Sequence, residues 1–74
     1  KYTLQRRLEA AEAEIGQAQA AIAHIDAVLA DAEVFSRDRA RGESLLKERA
    51  HAATALARAE AAWLDASEAL EQVR

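Results

Sequence analysis

The sequence predicts an all-α protein that forms a two-helix antiparallel coiled-coil hairpin. Its 74 residues are dominated by Ala, Glu, Gln, Arg and Leu, which are strong helix formers, and they include no proline. Large apolar residues recur at heptad spacing in two stretches, and a short segment with turn and capping residues separates the two. The scarcity of turn residues and of β-branched runs opposes a β-rich fold.

The first helix is predicted over about residues 2–31 from a seam with heptad spacing. Its large members are Leu8, Ile15, Ile22 and Leu29, and each is followed three residues later by a second seam residue: Ala11, Ala18, Ile25 and Ala32. Gly16 lies in the middle of this helix and is expected on its exposed face, because glycine lowers helix propensity without affecting packing there.

The connector is predicted over residues 32–38, where the seam is interrupted. Residues with turn-like or capping chemistry replace it: Val34, Phe35, Ser36, Asp38 and Gly42. Asp38 is the expected N-cap of the next helix, since its carboxylate can accept from the free amides of the first turn. The sequence does not decide whether the connector contains a turn of helix around Val34 and Phe35.

The second helix is predicted over about residues 39–73, and its register against the first follows from the short connector. Pairing residues whose numbers add to 74 matches large residues with alanines, as in Ala11 with Trp63 and Ile15 with Ala59. Such layers predict helices roughly 45 Å long and about 8 Å apart. An intramolecular hairpin is favoured over an open dimer, and weak pairing of two hairpins remains possible because the core is thin.

Charge is distributed unevenly along a chain whose net charge is -3. Residues 8–36 hold six acidic residues and no Lys or Arg, whereas residues 37–49 hold five basic residues against three acidic ones. The tip arginines Arg37, Arg39 and Arg41 and the terminal group Lys1, Arg6 and Arg7 therefore form two basic patches some 40 Å apart. Each patch is either a solvated surface or a site for phosphate contact without base readout.

No catalytic or metal-binding set is predicted. Two isolated glycines cannot form a phosphate-binding loop, and zero Cys excludes disulfides and thiolate metal sites. His24 and His51 are expected on exposed helix faces rather than as metal ligands. No apolar run is longer than four residues, so no transmembrane segment or signal peptide is predicted.

Four further side chains, outside the basic patches or at seam positions, need separate interpretation. Trp63 is expected to fill the space beside Ala11, and Tyr2 is the better candidate for stacking on a base. Leu64 falls outside the seam and is either a singly exposed leucine or part of a docking face. Arg49 occupies a seam position and is expected to lay its methylenes over Ile25 with its head in solvent.

Three segments resemble the C-terminal domain of ABC-F ATP-binding cassette proteins, especially the Uup branch. Leu29–Asp38 resembles the family connector L-A-D-P-x-F-Y-x-x-D-P, and Ala61–Asp65 is similar to a family segment centred on tryptophan. The opening residues, Lys1–Tyr2 with Arg6–Glu9, are similar to the family's start. The two family prolines are replaced, by Ala32 and Arg39, and leucines usual on the second helix are replaced by Arg49 and Ala52.

The resemblance implies that residues 1–74 are one coiled-coil hairpin domain, a C-terminal fragment of a larger cytoplasmic ATPase. ATP and magnesium would bind the parent's cassettes, so this domain itself would need no cofactor and would be no enzyme. In the Uup branch the domain is associated with DNA binding, and other ABC-F proteins act on the ribosome. The alternative is a structural or protein-interaction coiled coil that positions the cassettes, or one that contacts the ribosome and its RNA. The nominated nucleic-acid-binding residues are Lys1, Arg6, Arg7, Arg37, Arg39, Arg41 and Lys47.

Overall fold

Two long helices in contact form an all-α helical hairpin. The computed structural model describes residues 2–73, which contain no β-strand. Helix α1 runs over Tyr2–Leu29, the four-residue helix α2 over Val34–Arg37 and helix α3 over Arg39–Gln72. The Cα trace measures 55 × 14 × 13 Å, so the molecule is a thin rod.

Two side-chain hydrogen bonds between α1 and α3 establish that the helices are antiparallel. Trp63 Nε1 donates to Glu12 Oε2 at 3.2 Å, and Arg49 Nε donates to Asp26 Oδ1 at 2.6 Å. As residue numbers rise on α1 they fall on α3, which requires opposite directions. In both pairs the numbers add to 75, one away from the predicted register.

Four of the eight buried residues are alanines, whereas several of the larger seam side chains between α1 and α3 are only half-buried. Ala11 and Ala59 are 3% and 1% exposed, while their predicted partners Trp63 and Ile15 are half-buried. A pair of helices encloses only the line between their axes, so a small residue at that line is covered and a long one extends to the rim. The buried residues are Ala11, Ala18, Ile25, Gly42, Leu45, Ala59, Ala66 and Leu70.

The end of α1 lies two residues before the predicted boundary. α1 ends at Leu29, and the Asp31 carboxylate then accepts the backbone amide of Glu33 at 3.0 Å. This side chain offers the backbone a turn in place of a further helical hydrogen bond. The expected capping role of Asp38 is confirmed, since its Oδ1 accepts the amide of Arg41 at 3.1 Å and α3 begins at Arg39.

Helix α2 is held against α3 by Phe35 and Gly42. Gly42 lies in the first turn of α3 and is buried, and a Cβ built there would lie 2.6 Å from two ring atoms of Phe35. The absence of a side chain at Gly42 therefore provides the space for the Phe35 ring. The sequence pattern predicts a turn residue at Gly42 and does not predict this packing role. At Gly16 the same Cβ meets nothing within 4 Å, and the residue is exposed as expected.

Candidate nucleic-acid interface

The tip arginines, Arg37, Arg39 and Arg41, lie where the chain turns back. Arg37 ends α2, and the other two belong to the first turn of α3. All three are exposed. The Asp38 cap and the contact of Phe35 with Gly42 fix this turn, so the backbone that carries the three arginines is anchored at both helices.

Two of the tip arginines are already paired with glutamates. Arg37 forms an ion pair with Glu33, and Arg39 Nε donates to Glu43 Oε1 at 3.2 Å. Both pairs link residues four apart on exposed surface, where such pairs contribute a few tenths of a kcal/mol and readily exchange with solvent or other ions. Within residues 2–73, Arg41 has no side-chain ion pair, so it is the tip arginine most available to an anion.

The net charge around the tip is lower than the arginines alone suggest. When the turn residues Asp31 and Glu33 are counted with the tip, residues 31–49 carry five basic and five acidic side chains. Lys47 is exposed and borders a shallow groove that also contacts Ile25 and His51. Phosphate attraction at the tip therefore depends on individual guanidinium groups rather than on a strongly positive field.

The second basic patch lies at the other end of the rod. Arg6 Nη1 donates to the Tyr2 hydroxyl at 3.0 Å, and the Arg6 guanidinium carbon is 5.8 Å from the centroid of the Tyr2 ring. Tyr2 is 74% exposed, so one face of the ring is open to solvent. Arg7 lines a groove between α1 and α3 together with Asp65. Lys1, also predicted for this patch, lies outside the described residues.

The structure separates the candidate residues into two groups rather than one site. Arg6 and Arg7 lie near the start of helix α1, which continues to Leu29 before the connector that leads to the tip arginines. The roughly 22 helical residues in between separate the two groups by about 33 Å at 1.5 Å per residue. One short nucleic-acid segment cannot contact both groups of one chain.

Arg49 has a partner that sequence reasoning missed. Its guanidinium binds both carboxylate oxygens of Asp26, at 2.6 and 3.0 Å. This hydrogen bond lowers the pKa of Asp26 and raises the pKa of Arg49. The predicted register places Ile25 opposite Arg49, and Asp26 is the residue that follows Ile25 on α1. This neighbourhood was the signal in the sequence from which the ion pair could have been predicted.

Trp63 is half-buried, and its indole N–H is bound by Glu12. This placement agrees with the expected packing against α1. The aromatic rings exposed in the two basic regions are Tyr2, at 74%, and Phe35, at 41%. His24 and His51 are exposed, as expected. Across residues 2–73 no three His, Cys, Asp or Glu side chains are grouped so as to hold a metal ion. In the same range no helix has the length and apolar character needed to cross a bilayer.

The comparison with protein families decides the family of this hairpin. The family model described as the ABC transporter C-terminal domain matches residues 1–68. The chain belongs to this family. Membership confirms the resemblance drawn from the connector and the tryptophan segment, and it describes a C-terminal domain of ABC proteins rather than their catalytic cassette. No curated protein and no solved structure matches the chain significantly.

Proposed function

We propose that this hairpin is a non-catalytic, DNA-binding C-terminal module of a Uup-like ABC-F ATP-binding protein. The observation that carries the proposal is the exposed tip with three arginines, of which Arg41 has no ion pair within the described residues. Guanidinium groups grip phosphate oxygens in a geometry that is independent of base sequence. The coiled-coil hairpin would present this tip to the DNA backbone.

The parent protein would supply the chemistry that this domain lacks. In this proposal ATP and magnesium bind the parent's cassettes, the protein is cytoplasmic, and the domain changes how the cassettes respond to nucleic acid. A rod of this length separates the tip from the helix ends at Tyr2 and Gln72, which lie at the opposite end of the hairpin. Nucleic acid bound at the tip would therefore lie far from the end of the hairpin that holds Tyr2 and Gln72.

A salt titration of duplex DNA binding tests the proposal most directly. Each phosphate that the protein neutralises contributes about -0.9 to the slope of log affinity against log salt concentration. With one free and two paired arginines at the tip, we expect a slope of roughly -1 to -2. The triple substitution of Arg37, Arg39 and Arg41 by alanine should remove most of this dependence. Absence of binding at low salt would refute the proposal.

Single substitutions separate the tip from general charge effects. Arg41→Ala and Arg58→Ala each remove one exposed arginine, but Arg58 lies in the middle of α3 away from both basic patches. We expect Arg41→Ala to weaken binding about tenfold and Arg58→Ala to weaken it by less than about twofold. Equal effects of the two substitutions would show that only net charge matters, and the tip would lose its assigned role.

Removing the glutamates that hold the other two arginines provides a gain-of-function test. Glu33→Gln with Glu43→Gln frees Arg37 and Arg39 for phosphate, so affinity should rise and the slope should steepen by about 1 to 2. Performing the same titration with single-stranded DNA and with duplex RNA identifies the preferred nucleic acid. If duplex RNA or ribosomes bind and DNA does not, the assignment to DNA is wrong and the phosphate-binding tip stands.

The equal numbers of acidic and basic side chains around the tip favour a second candidate function. A tip without net positive charge suits a helical spacer or protein-docking element that positions the cassettes of the parent. ATP turnover by the parent with and without these residues, in the absence of nucleic acid, measures this role. A change in turnover together with no affinity for DNA or RNA would support it.

A further inference from the structure

An exposed apolar stripe runs along α3 on a side that does not face α1. Its members recur every three or four residues: Leu46, Ala50, Ala53, Ala57, Ala61 and Leu64. All are exposed, and the two leucines at its ends are 48% and 51% exposed. At 100° per residue the α3 stripe lies about 110° around the helix from the seam that packs on α1.

The accessible surface area of the hairpin is larger than is usual for a monomeric protein of its mass. Its accessible area is 5482 Å², whereas the scaling law for monomeric proteins gives about 4,450 Å² for 8.0 kDa. The surplus of about 1,000 Å² is comparable to the roughly 800 Å² that one partner buries in a standard interface. A partner on one side of the rod would therefore bring its exposed area to the usual value.

The α3 stripe is complementary to itself when a second copy is placed antiparallel. A two-fold axis through residue 55 pairs residues whose numbers add to 110, so Leu46 meets Leu64 and Ala53 meets Ala57. The leucines then cover each other at both ends, and the alanines between them let the helices approach closely. Residue 55 is also the midpoint of α3, so the two helices overlap over their full length.

The charges beside the stripe support the same register. Lys47 and Asp65 lie on one flank, and their numbers add to 112, so each faces its opposite in the second copy. Arg49 and Glu60 lie on the other flank and add to 109, but the Arg49 guanidinium already binds Asp26 of its own chain, which reduces this attraction. Symmetry produces every pair twice, so Lys47 and Asp65 give two approaches of opposite charge across the two-fold axis.

One like-charge approach opposes this register. Glu43 nears Glu68 of the second copy, but Glu43 already binds Arg39 at 3.2 Å, which reduces the repulsion. Lys47 and Asp65, by contrast, have no ion pair within residues 2–73, so their attraction across the axis is not reduced in this way. In this arrangement the two hairpin tips lie at opposite ends of the assembly.

We propose that the α3 stripe is the interface of an antiparallel homodimer of this chain. The proposal does not depend on nucleic-acid binding. Sedimentation equilibrium of the domain without nucleic acid tests it, from about 10 μM to about 1 mM, the range of weak association. A monomer–dimer equilibrium is expected, and a monomer throughout this range would overturn the proposal.

Substitutions on the stripe identify the interface. Leu46→Glu with Leu64→Glu places four carboxylates in the dimer contact and should weaken dimerisation at least about tenfold. Ala20→Glu adds a carboxylate on exposed α1 and should leave dimerisation unchanged. Circular dichroism checks that the variants remain helical. An unchanged dimer in the double leucine variant would place the interface elsewhere and refute the proposal.

A charge exchange tests the register. Lys47→Asp or Asp65→Lys alone should weaken the dimer several-fold, because each places like charges together across the axis. The double exchange restores opposite charges and should recover dimerisation to near the original level. Failure of the double exchange to recover it, with both single variants weakened, would reject the antiparallel register.

Discussion

Gly16 and Gly42 are both helical residues, but their surroundings differ, so adding a side chain should stabilise the protein at Gly16 and destabilise it at Gly42. The side of Gly16 is open to solvent, and the Phe35 ring occupies the space where a Cβ of Gly42 would lie. Alanine is about 1 kcal/mol better than glycine within a helix, so any cost at Gly42 must come from its contact with the ring. The two residues therefore form a matched comparison.

We expect Gly16→Ala to raise the free energy of unfolding by about 1 kcal/mol. Gly42→Ala should lower it by about 1 kcal/mol, since overpacking costs roughly 1–3 kcal/mol and exceeds the gain in helix propensity. Urea denaturation followed by circular dichroism measures both. In a Phe35→Ala background the ring is gone, and Gly42→Ala should then become stabilising. A destabilising effect that persists there would contradict the proposed contact.

At the scale of elements, the connector sets the relation between α1 and α3. Asp31 ends the first helix with a turn, α2 occupies one helical turn, and Asp38 begins the next helix. Each aspartate uses a short side chain to replace a backbone hydrogen bond that the helix end cannot make. These local bonds allow the chain to reverse although it contains no proline.

Asp38→Ala should lower the free energy of unfolding by about 1 kcal/mol, the usual cost of losing an N-cap. Asp38→Asn keeps an oxygen that accepts from the Arg41 amide and should cost only a few tenths of a kcal/mol. Urea denaturation of the two variants provides the comparison. Equal losses would mean that the charge of Asp38, through the α3 dipole, matters more than its hydrogen bond.

For the whole molecule, stability rests on a narrow core with little side-chain volume. Seven apolar residues are buried, and four of them are alanine. Half-buried side chains and the pairs that cross between α1 and α3, such as Asp26 with Arg49, therefore matter more here than in a globular domain. The same narrowness leaves one side of α3 available for a second copy.

The stability of the hairpin should depend on pH through Asp26. Its pKa is below the ordinary value of 3.8 in the folded protein because Arg49 hydrogen-bonds the carboxylate. A lowered folded pKa stabilises the fold above the ordinary value, and the contribution is lost as pH falls through the folded value. Arg49 stays charged throughout this range.

Thermal melts of the wild type and Asp26→Asn, at several pH values between about 7 and 2, test this expectation. The wild type should be slightly more stable at neutral pH, and the difference should shrink below about pH 4. Glu14→Gln removes an exposed carboxylate that has no ion pair to α3 within residues 2–73, and it serves as the control. If the difference in melting temperature between the wild type and Asp26→Asn stayed constant down to about pH 2, the role of the ion pair would be contradicted.

Heptad spacing, capping chemistry and the connector motif are local patterns, so the two helices, their turn, the Asp38 cap and the family could be predicted from the sequence. The partners of the charged and small residues became known only from the folded structure. Spacing places Asp26 near Arg49 and Glu33 near Arg37, but which neighbour each side chain binds, and the contact of Phe35 with Gly42, depend on side-chain directions. In the part of the chain that the structure describes, those directions leave Arg41 without an ion pair and the α3 stripe exposed, since two helices can cover only one face of each other.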